Sequence, residues 1–224
     1  MFPLKDTIPS NKFPFITVSI IIINLVIFFY ELSLGQNLEI FIQNFGVIPA
    51  KFTTFWKENP TQITGLIITP FSSIFLHGGW MHVISNMWYL WIFGDNIEDR
   101  TGHFRFFIFY ILCGLIANAT HIVTNAGSNI PTIGASGAVA GVMGAYFLLF
   151  PRSKITTLFF LVIFIQIVRI PAIFFLGIWI VLQIISGTLS MGLDSPTGGV
   201  AWWAHIGGFF CGLLLILFFK KHQK

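Results

Sequence analysis

The fold class this sequence predicts is an all-α membrane protein, a bundle of six transmembrane helices, and three observations predict it: the composition, the recurrence of apolar runs and the placement of positive charge. Of 224 residues, 55% are hydrophobic and 9% charged, against roughly 25% charged in a typical soluble domain. That balance excludes an ordinary soluble globule. The apolar runs lie at 14–34, 79–94, 106–124, 135–150, 171–187 and 201–219. Each approaches the roughly 17 to 25 residues that an α-helix needs to cross the hydrocarbon core.

Positive charge settles the topology, because loops on the cytoplasmic side carry an excess of Lys and Arg. With the N-terminus inside and six spans, the inner set holds Lys5, Lys12, Arg100, Arg105, Arg152, Lys154, Arg169, Lys220, Lys221 and Lys224, while Lys51 and Lys57 fall outside. One further apolar stretch, Ile155 to Val168, is short for a span and reads as re-entrant or interfacial, with helix, hairpin and surface-lying forms all open to it. Were it to cross, the Lys220 to Lys224 cluster would face outward.

The expected organisation is therefore a single membrane domain over 1–224, with residues 1–13 and 220–224 as cytoplasmic termini. Lys5 and Lys12 precede the first run as in a signal peptide, but the run is long and no small-x-small site closes it, so it reads as a retained span. Residues 35–78 form the one long loop. There Phe41, Phe45, Ile48, Phe52, Phe55 and Trp56 alternate with Glu39, Lys51, Lys57 and Glu58, a mixture suited to the outer interface of the bilayer.

The formal net charge of +4 flanks apolar runs instead of clustering with exposed aromatics. A lipid bilayer, not nucleic acid, is the partner it implies. Cys113 and Cys211 lie inside apolar runs without CxxC or His at ligand spacing, so they read as packing residues and no metal or cofactor is expected.

Polar side chains within spans are costly and mark packing contacts or functional sites. The second span carries His82 and Asn86, the fourth begins Gly134-Ala135-Ser136-Gly137, and the sixth contains Ala204-His205-Ile206-Gly207-Gly208. All three helices enter from the outer side, so Ser136, His205 and His82 share one shallow layer, within roughly 8 Å of the helix ends at 1.5 Å per residue. Asn86 lies one turn below His82. Gly137, Gly141 and Ala145 make a small-residue stripe on the fourth span, matched by Ala204, Gly208 and Gly212 on the sixth. Such stripes let two backbones approach closely.

The layer holds the parts of a nucleophilic site. Ser136 supplies a hydroxyl, and His205, with an ordinary pKa near 6.5, can take and return its proton. The Ser136 amide sits at a helix N-terminus, where N–H groups are unsatisfied, and Asn86 and His82 add side-chain donors for an oxyanion. No carboxylate in the outer half of a span is placed to orient His205. Only Asp194, in the loop before the sixth span, could approach it, and a two-residue dyad is preferred.

At these residues the chain resembles the rhomboid intramembrane proteases, of the bacterial, six-span type. The segment His77-Gly78-Gly79-Trp80-Met81-His82-Val83-Ile84-Ser85-Asn86 is similar to that family's HGGWxHxxxN signature. Residues 134–137 resemble its GxSG motif and residues 204–208 its AHxxG motif. Gly94, Glu98 and Gly102 resemble its turn between the second and third spans.

The resemblance implies a rhomboid-like bundle with Ser136 as nucleophile and His205 as general base, and with Asn86, His82 and the Ser136 amide at the oxyanion. Gly134 and Gly137 frame the nucleophile, and His77 has a loop-fixing role. It further implies cofactor-free hydrolysis of peptide bonds in transmembrane protein substrates. The location it implies is a bacterial cytoplasmic membrane, with the site open to the outer side.

Two positions depart from the family pattern. A Trp-Arg pair of some members corresponds to Ile68-Thr69, and the aromatic that stacks under the catalytic His in some members falls on Ala140. Either His205 is held by another group, or its orientation is looser and activity lower. The alternative reading is a catalytically weak or silent rhomboid-like protein that binds membrane clients. His103 and His222 read as solvated, and His121 as reaching for the outer interface.

Overall fold

A computed structural model describes residues 2–58, 63–161, 164–190 and 199–221, without the side chains of 55–58, 63, 160–161 and 164–165. Asp194, His222, Lys224 and the side chains of Phe55, Trp56, Lys57 and Glu58 thus lie outside the description.

All six apolar runs are helices: α1 (Phe15–Ser33), α5 (Trp80–Thr101), α6 (His103–Thr124), α7 (Ser136–Leu149), α8 (Ala172–Ser190) and α9 (Trp202–Phe219). The described residues of the 35–78 segment form α2 (Leu38–Phe45), α3 (Pro49–Glu58), α4 (Ile63–Ser72) and two 3-10 turns at Gly35–Asn37 and Ser73–Phe75. By length and composition α1, α6, α8 and α9 can each cross a membrane. α5 extends further than the run that predicts it, its last two turns taking in Asp95, Glu98, Asp99 and Arg100.

α7 is the axle of the bundle. Gly137 through Tyr146 are buried without interruption, as expected of a helix that is apolar on every face. Its 14 residues rise only about 21 Å at 1.5 Å per residue, against a hydrocarbon core of about 30 Å. A helix that short cannot by itself reach both surfaces of the bilayer, and Ser136 is its first residue.

Between α7 and α8 the described residues make neither a span nor a helix. Strands β2 (Lys154–Leu161) and β3 (Phe164–Pro171) pair antiparallel from Lys154↔Pro171 to Leu161↔Phe164, and β1 (Phe2–Lys5) adds to the outer side of β2. The β-branched residues Ile155, Thr156, Thr157, Ile165, Ile167, Val168 and Ile170 favour this outcome. A hairpin also returns the chain to the end of the bundle it left, so α8 starts where α7 stops and the parity of six helices is kept. The N-terminal segment is anchored at this end, where Trp88 Nε1 donates to the Pro3 carbonyl at 2.7 Å. Tyr146 there donates to the Asp6 carboxylate at 2.5 Å, and burial raises the Asp6 carboxyl above its ordinary range.

Gly94, Glu98 and Gly102 have a structural task. α1 has Pro14 at its N-cap and no side-chain cap, which leaves its first amides without partners. Glu98, 1% exposed on α5, supplies them: its carboxylate accepts from the Ile16 and Thr17 amides at 2.9 and 2.8 Å and from Thr17 Oγ1 at 2.8 Å. A Cβ on Gly94 would come within 3.0 Å of Thr17, so glycine lets α1 approach. Gly102, at φ +84°, then turns the chain into α6 in a conformation natural to glycine. His103, half-exposed, completes the cluster with Nδ1 2.5 Å from Glu98 Oε1, so it is bonded and not merely solvated. Glu98→Ala is expected to destabilise the protein by about 3 kcal/mol, since several buried donors lose their acceptor together. Thermal unfolding in detergent measures this, and a wild-type midpoint would exclude the cap.

Candidate active site

α7 and α9 run parallel and touch backbone to backbone. A Cβ on Gly208 would lie 2.9 Å from the Gly137 carbonyl carbon, and one on Gly212 only 2.6 Å from Gly141 Cα. The two small-residue stripes of the sequence are this seam. It carries Ser136 and His205 at the same end, because a Cβ on Gly137 would be 3.6 Å from the carbonyl oxygen of Ala204, the residue before His205.

The loop before α7 is fixed from both sides. Its strand-like bridge pairs Thr132 with Val47 through reciprocal bonds of 2.7 and 3.0 Å, and the Gly134 amide donates to the Ser73 carbonyl at 2.8 Å. Asn118 Nδ2 donates to the Pro70 carbonyl and Ser73 Oγ at 2.8 and 3.0 Å, and Ser72 Oγ to the Phe45 carbonyl at 2.7 Å. These bonds tie Val47, Pro70 and Ser73 of the 35–78 segment to α6 and to the loop before α7. Gly134 itself stands at φ +131°, a region open to glycine. A Cβ there would be 2.6 Å from His82 Nε2 and 3.7 Å from Ser136 Oγ, so His82, Gly134 and Ser136 share one corner.

Hydrogen bonding around His82 defines its tautomer. The Gly78 amide approaches His82 Nδ1 at 3.4 Å, which makes Nδ1 the acceptor and leaves the proton on Nε2, the nitrogen beside Gly134. α7 adds donors of its own. Its N-cap is Ala135, without a side-chain cap, a poor choice for helix stability that leaves first-turn amides open to an anion.

Asn86 is buried, with Nδ2 3.1 Å from His77 Nε2. Burial, with the His82 imidazole beside it, pushes His77 down to about 3, so its Nε2 is free to accept that bond. The His77 amide in turn donates to both carboxylate oxygens of Glu31 at 3.2 Å. Glu31 sits in the last turn of α1, 1% exposed, and its carboxylate serves the His77 amide, not His205. His121, half-buried, is bonded through Nδ1 to Asn125 Nδ2 at 3.2 Å and so is held locally.

His205 is held by α8. Its Nδ1 lies 2.7 Å from Gln183 Oε1, its ring is 5.9 Å from that of Trp179 at 32°, and Trp202 meets it edge-on at 6.3 Å. Sequence reasoning missed Gln183 and Trp179; a single Gln within an apolar run was the available signal. Ala140, buried in α7, offers no ring. Among the described residues no hydrogen bond joins Ser136 Oγ to His205. Substrate-free sites often close that bond only when occupied.

Comparison with known proteins gives this geometry a lineage. A family model described as the rhomboid domain matches residues 64–222. The chain belongs to the rhomboid family. Rhomboid protein 1, mitochondrial, of Saccharomyces cerevisiae is 27% identical over 76% of this chain and 46% of its own length. YdcA of Bacillus subtilis, provisionally described as a rhomboid protease, is 31% identical over 44% of this chain and 52% of its own. The human presenilin-associated rhomboid-like protein, mitochondrial, is 32% identical over 39% of this chain and 24% of its own. This rhomboid thus spans between about a quarter and about half the length of these relatives, two of which carry mitochondria in their names. It is an integral membrane protein with a mostly helical bundle.

Proposed function

We propose that this rhomboid is an intramembrane serine endopeptidase that cuts transmembrane protein substrates through a Ser136–His205 dyad. Ser136 Oγ attacks the scissile carbonyl carbon while His205 Nε2 takes its proton. The tetrahedral oxyanion is received by the Ser136 amide, His82 Nε2 and Asn86 Nδ2. Collapse breaks the C–N bond as His205 returns the proton to the leaving amine. Water, deprotonated by the same imidazole, then releases the acyl group.

The observation that supports this most strongly is the uncapped start of α7 meeting His82 Nε2 at Gly134, with α9 carrying His205 to the same end along the glycine seam. In this proposal the start of α7 lies below the outer surface, as a helix of 14 residues allows, so the bonds cut lie at membrane depth. The proposal extends to one membrane domain over 1–224 with both termini cytoplasmic, the 35–78 segment at the outer interface and the site opening outward. Exposed Ile40, Ile67, Ile68 and Phe71 suit that interface. A bacterial cytoplasmic membrane is the proposed location.

The rival reading, a silent client-binding protein, draws on the unformed Ser136–His205 bond. A serine-directed fluorophosphonate separates the two. In detergent the wild type is expected to label at Ser136, and His205→Ala to label at least 10-fold more slowly for want of its base. Absence of label from the folded wild type, or equal labelling of Ser136→Ala, would exclude the protease.

A further inference from the structure

The sequence motifs provide for the side of His205 that serves Ser136, but not for its other nitrogen. That nitrogen meets Gln183, a polar residue 7% exposed in the middle of α8, whose neighbours from Ala172 to Ile185 are otherwise apolar. A buried amide in such a helix is costly unless its hydrogen bonds are satisfied. Here the contact is 2.7 Å from Gln183 Oε1 to His205 Nδ1. An amide oxygen only accepts, so Nδ1 carries the proton and the lone pair is on Nε2. Trp179 stands one turn earlier on the same face of α8, its ring over the imidazole at 5.9 Å. The two residues, at i and i+4, grip one ring by its edge and its face.

We propose that Gln183 is a positioning residue that holds His205 in the Nδ1–H tautomer required of a general base, with Trp179 bracing the ring. The inference rests on the protease reading above. It explains how a dyad works where, among the described residues, no carboxylate stands behind the imidazole: a neutral amide fixes tautomer and direction, and supplies no counter-charge to the imidazolium. Among the described residues the ionisable groups near enough to act on His205 are His82 on α5 and His121 on α6, while α7 and α8 carry no charged side chain.

The test follows kcat and KM against pH for a single-span substrate in proteoliposomes. Gln183→Leu frees the ring to adopt either tautomer and is expected to lower kcat on the order of 10- to 100-fold with KM within twofold of wild type. Gln183→Glu keeps the acceptor and adds a charge. It is expected to restore most of kcat near neutral pH and to displace the acid limb of the kcat profile by about one unit or more, upward if the carboxylate stabilises the imidazolium as neighbouring opposite charges do. Wild-type kcat in Gln183→Leu, or an acid limb unmoved in Gln183→Glu, would overturn the inference, and the second readout decides alone if the Leu variant does not fold. Ser136→Ala runs in parallel. If it is inactive while both Gln183 variants behave as wild type, only the positioning role falls; if it cuts like wild type, the protease reading falls first.

Discussion

Ser136→Ala is expected to lower substrate cleavage on the order of 10⁴- to 10⁶-fold while the protein folds as before. The first half follows from the chemistry: with the hydroxyl gone no acyl-enzyme forms, and what is left is the contribution of oxyanion donors and binding. The second half follows from what Ser136 does not do in the fold. Among the described residues its Oγ has no hydrogen-bond partner, the N-cap of α7 is Ala135, and the residue is half-buried with the Gly134 backbone as its neighbour. Removing such a hydroxyl should alter stability by no more than about 0.5 kcal/mol. The measurement is paired: cleavage of a single-span substrate in proteoliposomes, and thermal unfolding in detergent. A midpoint several degrees lower would assign the lost activity to folding, and retained cleavage would remove Ser136 from the chemistry.

What could be read from the chain, and what could not, divides along the distance between interacting residues. Ser136, His205 and His82 were legible because each sits near the start of its own helix, so helical rise alone puts them in one layer. The glycine seam was legible for a related reason, since a four-residue repeat of small residues encodes a contact without naming its partner. Gln183 carries no such pattern. Its meaning arises only when α8 lies against α9, and one polar residue in an apolar run says nothing of what it will touch. Glu31 was hidden likewise, because its partner amide at His77 is held by loop geometry. The stretch from Ile155 to Val168 was ambiguous because a short run of Phe, Ile and Val suits a buried helix and a hairpin alike. The pairing of β1 with β2 that helps decide it joins residues from opposite parts of the chain.

Gly212→Ala is expected to damage the protein more than any other single methyl group added to α9. A Cβ there would collide with the Gly141 carbonyl and stand 2.6 Å from Gly141 Cα. The obstacle is backbone on both sides, so no rotamer change relieves it. Overpacking commonly costs about 1 to 3 kcal/mol where side chains can yield, and a rigid seam belongs at or above the top of that range. The two helices must separate, and their separation carries Ser136 away from His205. A misplacement of about 1 Å at the reacting groups costs on the order of 100-fold in rate, so activity should fall even in molecules that still fold. Gly177→Ala on α8 supplies the control, since its Cβ would meet nothing nearer than Phe147 Cε2 at 3.8 Å and alanine is the better helix former by about 1 kcal/mol. Thermal midpoints and cleavage rates of the two variants should therefore move apart. Were Gly212→Ala to melt and cut like Gly177→Ala, close backbone contact between α7 and α9 could not be what brings the alcohol to the imidazole.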